Sequence, residues 1–74
     1  YNKNHNIMLV EELGKCIKKR RNELSITQSH LAELTEISVN TLYKLERGEG
    51  NPSLDILCRL ADILGMQIEL KVKQ

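Results

Sequence analysis

The sequence predicts an all-α domain: a bundle of four to five short helices, with a C-terminal β-strand that pairs across a dimer. Three observations predict it. Apolar residues recur at three-to-four spacing through most of the chain. Thr27, Ser38 and Ser53 each stand just ahead of such a run, where a hydroxyl can accept from the first unpaired backbone N–H groups of a helix. From Gln67 to Lys73 the period changes to two.

The first helix is expected from about Val10 to Leu24, with Leu13, Cys16, Ile17, Arg20, Arg21 and Leu24 on one inward stripe. Residues 1–8 precede it as a flexible segment, polar and without pattern at Tyr1–Asn6. The second helix covers roughly Gln28–Thr35 and is capped by Thr27. The third covers roughly Val39–Arg47 and is capped by Ser38. Gly48 closes it in the left-handed conformation, which glycine adopts without a Cβ clash. After the loop Glu49-Gly50-Asn51-Pro52, Ser53 caps a fourth helix over Leu54–Leu64, and Gly65 stops it. Residues 9–65 thus form the helical domain and 66–74 the strand.

The fourth helix is apolar nearly all round. Leu54, Leu57, Cys58, Ala61 and Leu64 make one stripe, while Ile56, Leu60 and Ile63 make a second. So small a domain is not expected to bury both against its own chain. The second stripe therefore points to a subunit interface. The strand supports this. Met66, Ile68, Leu70 and Val72 face one way, and Gln67, Glu69, Lys71 and Lys73 the other. With no second strand in the chain to pair with, its backbone groups are best satisfied by a second copy. The expected interface is Ile56, Leu60, Ile63, Met66, Ile68, Leu70 and Val72.

Composition bounds the function. The chain has 74 residues and a formal net charge of +1. It lacks Phe and Trp, so the core is aliphatic. Lys15, Lys18, Lys19, Arg20 and Arg21 form a local basic stripe, a footprint suited to phosphates even at near-zero net charge. The same stripe, taken alone, is equally an ordinary solvated helix face. Cys16 and Cys58 fall at apolar positions and read as reduced core thiols. Neither has a His or Cys neighbour at metal-ligand spacing, so no metal and no cofactor is expected. His5 and His30 stand alone, and no paired carboxylates or glycine-rich phosphate loop accompany them, so catalysis is not expected. There is no long apolar run and no leader-like pattern, and the chain reads as cytoplasmic.

Thr27–Glu46 carries the functional signal. Two short helices meet at a tight turn, and the second has a polar N-terminal half, Ser38-Val39-Asn40-Thr41, backed by Leu42 and Leu45. This presents one helix end to a groove while its rear face is held by a core, as a DNA-reading helix-turn-helix requires.

Thr27-Gln28, Leu31-Ala32, Ile37-Ser38, Leu42, Glu46, Gly48 and Pro52 resemble the signature of the λ-repressor-like, Xre-type helix-turn-helix family. With the strand added, the chain looks like the HipB-like antitoxins, which dimerise through such a strand, repress their own operon and bind a HipA-like kinase toxin. The resemblance implies that Val39, Asn40, Thr41 and Lys44 face base edges and that Gln28 donates to a phosphate. Asn suits adenine, Lys suits guanine, and a Val methyl suits the thymine methyl. Further phosphate candidates are Ser29, Thr41, Tyr43, Arg47 and Asn51, with Lys19 and Arg20 on the first helix. The resemblance makes Arg21 and Glu46 a buried structural ion pair. It implies a homodimer on double-stranded DNA with an inverted-repeat operator. The alternatives are a stand-alone, phage-repressor-like regulator and a protein–protein adaptor of the same fold. Two positions depart from the family, which favours glycine where this chain has Ser25 and Glu36. A non-glycine residue held left-handed there costs roughly 1 kcal/mol.

Overall fold

The computed structural model describes residues 3–69 and 72, and for residues 3–9 the backbone alone. Four helices follow in order: α1 (Lys3–Glu23), α2 (Gln28–Thr35), α3 (Val39–Glu46) and α4 (Leu54–Leu64). α1 begins well ahead of the expected Val10; the other three match their expected spans closely. Among the described residues no helix is long and apolar enough to cross a membrane.

The caps work as their chemistry dictates. Thr27, Ser38 and Ser53 sit in extended backbone, and their hydroxyl oxygens accept from His30, Thr41 and Ile56 N–H respectively. The C-termini share one closure. In each, a residue with positive φ turns the chain, and the next residue's N–H reaches back to a carbonyl in the last turn. Gly48 and Gly65 do this with glycine, as expected. Ser25 (φ 57°) and Glu36 (φ 61°) do it with a side chain present. There the Ile26 N–H donates to the Arg21 carbonyl at 3.1 Å and the Ile37 N–H to the Ala32 carbonyl at 3.0 Å. Ile26 and Ile37 then pack against the core. The recovered carbonyl bonds and the two partly buried isoleucines offset the local strain.

The core joins Ile17 of α1, Leu31 and Ala32 of α2, Leu42 and Leu45 of α3, and Leu60 and Leu64 of α4. Burying each such leucine contributes about 1.5–3 kcal/mol, so this cluster is the main source of stability. α1 crosses α3 closely at Gly14, where a Cβ would run into the Leu45 carbonyl oxygen.

Several expectations are corrected. Of the α1 stripe, only Ile17 and Arg21 are buried; Leu13, Cys16 and Leu24 are exposed. Both cysteines are exposed free thiols rather than core residues. On α4 the second stripe, expected at an interface, turns inward. Leu60 is fully buried, and Ile56 and Ile63 pack against the core, so this stripe belongs to the domain's own interior. Leu54 is 66% exposed and Cys58 is exposed, on the face expected to be inward. Leu64, expected among them, is buried with Leu60 because the core reaches α4 between its two stripes. Leu60 is thus removed from any subunit interface. No strand forms among the described residues, and Met66–Glu69 is irregular. A β-ladder requires a partner strand, and the described residues provide none. Leu70, Lys71 and Lys73 lie outside the described residues.

Candidate nucleic-acid interface

α3 is held from behind. Leu42 and Leu45 are buried, and so is Glu46, so the opposite face turns outward. That face carries Val39, Asn40 and Lys44, all exposed, with Thr41 half-buried beside them. Val39 is 43% exposed. The Thr41 and Ser38 hydroxyls lie 2.7 Å apart, so the helix start presents a linked pair of hydroxyls. Asn40, Thr41 and Lys44 also border a cleft of about 320 Å³, whose other wall is Glu49–Ser53 and Ile56. Asn51 is exposed on that wall, next to the N-terminus of α4.

On the flank, Arg47 donates to the Tyr43 hydroxyl at 2.8 Å and lies 5.3 Å from the ring centroid. It also approaches Glu49 at 3.7 Å. The hydroxyl bond raises the Arg47 pKa above an already high value, so the group stays charged. Tyr43 and Arg47 are both exposed and form one positive, hydrogen-bonding unit. Ser29 and Lys19 are exposed as well.

Behind the recognition helix stands the Arg21–Glu46 pair. Arg21 Nε donates to Glu46 Oε2 at 2.7 Å and Nη2 to Oε1 at 2.9 Å, a bidentate fork with both groups buried. Arg21 Nη1 donates to the Ile26 carbonyl at 2.9 Å. One guanidinium therefore ties the end of α1, the α1–α2 turn and the end of α3 together. The hydrogen bond that Arg21 donates to Glu46 raises the Arg21 pKa, and burial opposes it. With its folded pKa above the unfolded one, Arg21 loses its contribution as pH rises through the folded value, in strong alkali, and keeps it below that wherever the Glu46 carboxylate is ionised.

Two further expected phosphate contacts also have protein partners. Arg20 Nε donates to the Leu64 carbonyl at 2.8 Å, and its Nη1 lies 3.6 Å from Glu23. It caps the C-terminus of α4 and turns toward that helix. Positive charge at a helix C-terminus satisfies orphan carbonyls and suits the dipole. Gln28 Nε2 donates to Glu46 Oε1 at 2.9 Å, so this side chain is linked to the ion pair. Arg59, which no motif in the sequence singles out, bonds the Thr35 carbonyl at 2.9 Å and also pairs with Asp55. It caps α2 just before the Glu36 turn. Gly14 was likewise missed; an isolated glycine inside a helical pattern was the available signal.

These features define a class: a helix-turn-helix domain whose second helix offers a polar, cationic face from a rigid rear mount. The chain belongs to the λ-repressor-like, Xre-type helix-turn-helix family, whose profile matches residues 17–71. It is 39% identical over 51 residues to an uncharacterised HTH-type transcriptional regulator of Methanothermobacter thermautotrophicus, covering 69% of this chain and 74% of that one. It is 41% identical over 56 residues to the immunity repressor protein of Bacillus phage phi105, covering 76% of this chain and 39% of that one. It is 34% identical over 55 residues to an HTH-type transcriptional regulatory protein of Methanococcus vannielii, covering 74% of this chain. The matched segment spans only 17% of that relative's length.

Proposed function

We propose that this domain binds double-stranded DNA, with the N-terminal half of α3 in the major groove, and acts as a transcriptional repressor. The observation that carries the reading is the outward face Val39, Asn40 and Lys44 on a helix mounted by Leu42, Leu45 and Glu46. Val39, Asn40, Thr41 and Lys44 read base edges. Gln28, Ser29, Tyr43, Arg47, Asn51 and Lys19 meet the phosphate backbone. The kinship with a phage immunity repressor supports this role over that of an adaptor.

The reading includes a homodimer. An apolar groove of about 290 Å³ runs between α1, α4 and the segment that follows, lined by Leu13, Cys16, Leu57, Ala61, Met66 and Ile68 over a floor of core residues. Met66 is 37% and Ile68 45% exposed. The second copy covers this face and pairs with the 66–74 segment, whose alternating pattern suits a two-stranded ribbon. The narrower role, a HipB-like antitoxin to a HipA-like kinase, rests on that alternation alone. Purification from the native host tests it: a kinase-sized protein should travel with the dimer, and its repeated absence leaves a stand-alone repressor.

Selection from a random duplex library tests the main reading. Wild-type protein should enrich an inverted repeat, and Asn40→Ala should relax one base pair in each half-site. Recovery of no motif at low salt rules the reading out.

A further inference from the structure

Gln28 opens α2 and is half-buried. Its Nε2 donates to Glu46 Oε1, the same oxygen that accepts from Arg21 Nη2. Glu46 is only 7% exposed and ends the recognition helix. An ionised carboxylate can only accept hydrogen bonds, so Gln28 can meet it only through its NH₂ group. Turning the amide over would set its carbonyl oxygen against a carboxylate oxygen. The NH₂ group has two protons, and Glu46 takes one of them.

We propose that Glu46 is a positioning residue for DNA binding: from within the core it fixes the Gln28 amide so that the second N–H proton serves a DNA phosphate. The proposal rests on the reading above that Gln28 meets the backbone. It adds that this donor is set by the last residue of α3, through the ion pair that also anchors that helix. Arg21 makes the arrangement workable. A lone carboxylate one side chain away from a phosphate would repel it, whereas the paired carboxylate carries a compensating charge at 2.7–2.9 Å. One buried group thereby sets two things at once, the mount of the base-reading helix and the backbone contact on its neighbour, so their registers on DNA agree.

A double-mutant cycle tests this. Wild type, Gln28→Ala, Glu46→Gln and the double variant are titrated by fluorescence anisotropy on the duplex that wild type selects. The temperature is held well below the lowest melting midpoint. Loss of a charge-assisted bond should make Gln28→Ala about tenfold weaker. Glu46→Gln should weaken binding nearly as much, because a neutral amide no longer dictates the Gln28 orientation. The double variant should lose less than the two single losses multiplied, because the Gln28 contact can be lost only once. Independent factors that multiply in the double variant overturn the proposal and leave Glu46 a structural residue. Should Gln28→Ala bind like wild type, the phosphate reading of Gln28 fails, and this inference fails with it. If Glu46→Gln does not fold, the wild-type side-chain amide spectrum decides. The two Gln28 Nε2 protons should differ in exchange rate, and added duplex should protect the faster one. Two protons that exchange alike and ignore the duplex overturn the proposal.

Discussion

Glu46 accepts three hydrogen bonds in a place where an unpaired charge would be expensive. Removing one member of a buried, hydrogen-bonded pair costs about 3–5 kcal/mol, because the remaining charge is left without compensation. Glu46→Ala should therefore lower stability by about that much in a urea or thermal melt, and a variant that melts with the parent would show the pair to be dispensable. The Arg59–Asp55 pair is the contrast. Its groups are 41% and 74% exposed, so the ion pair itself is worth under about 1 kcal/mol. Arg21 and Glu46 were legible in the sequence through the family pattern. Arg20 was not. It adjoins Arg21 in the same basic stripe, yet it serves a carbonyl of α4, forty-four residues away in sequence. Residue type and stripe give charge, but they do not say which orphan carbonyl lies within reach.

At the scale of elements, helix limits and caps were largely readable because capping is local chemistry. The orientation of α4 was not, because a helix apolar nearly all round has no single inward stripe to read. Leu60 sits between Ile56 and Ile63 on one stripe and beside Leu57 and Leu64 on the other, and only the packing of α1 and α2 decides which side faces in. The turns offer a direct test of strain. Ser25 and Glu36 keep the left-handed closure that the family makes with glycine. Glu36→Gly should relieve about 1 kcal/mol of strain, reduced somewhat by the greater freedom of glycine in the unfolded chain. The expected gain in melting temperature is a few degrees, about 4–8 °C at the full 1 kcal/mol for a domain of this size. An unchanged or lower midpoint would mean that the Glu36 conformation carries no strain. Gly14 makes the opposite case. Alanine there would press on the Leu45 carbonyl and push α1 from α3, so Gly14→Ala should cost about 1–3 kcal/mol although alanine is the better helix former. A stabilised Gly14→Ala variant would show that the two helices can separate freely.

At the scale of the whole molecule, the domain is complete as a core yet unfinished as a surface. Leu13, Leu57, Met66 and Ile68 form an apolar face on α1, α4 and the segment after it, where a second copy closes the groove by the reading above. Met66 and Ile68 lie outside the core cluster, so changing both to Lys should leave the helical circular dichroism intact. The variant should sediment as a monomer across the concentrations where wild type is a dimer, and its operator affinity should fall. Wild-type sedimentation as a monomer at high concentration would remove the dimer. The geometry of the DNA follows from the same assembly. A two-fold dimer turns its two α3 helices in opposite senses, so the site should be an inverted repeat. Its half-site centres should lie about 34–36 Å apart, one helical turn, or a multiple of that. Phosphate contacts by the cations Lys19 and Arg47 release counterions, so log K should fall linearly with log salt at a slope of about −0.9 for each neutralised phosphate. Each monomer contributes the same set, which makes the slope for the Met66→Lys, Ile68→Lys variant about half that of wild type. Footprinting that protects one undivided asymmetric site, or equal slopes for the two proteins, would exclude a symmetric dimer on DNA.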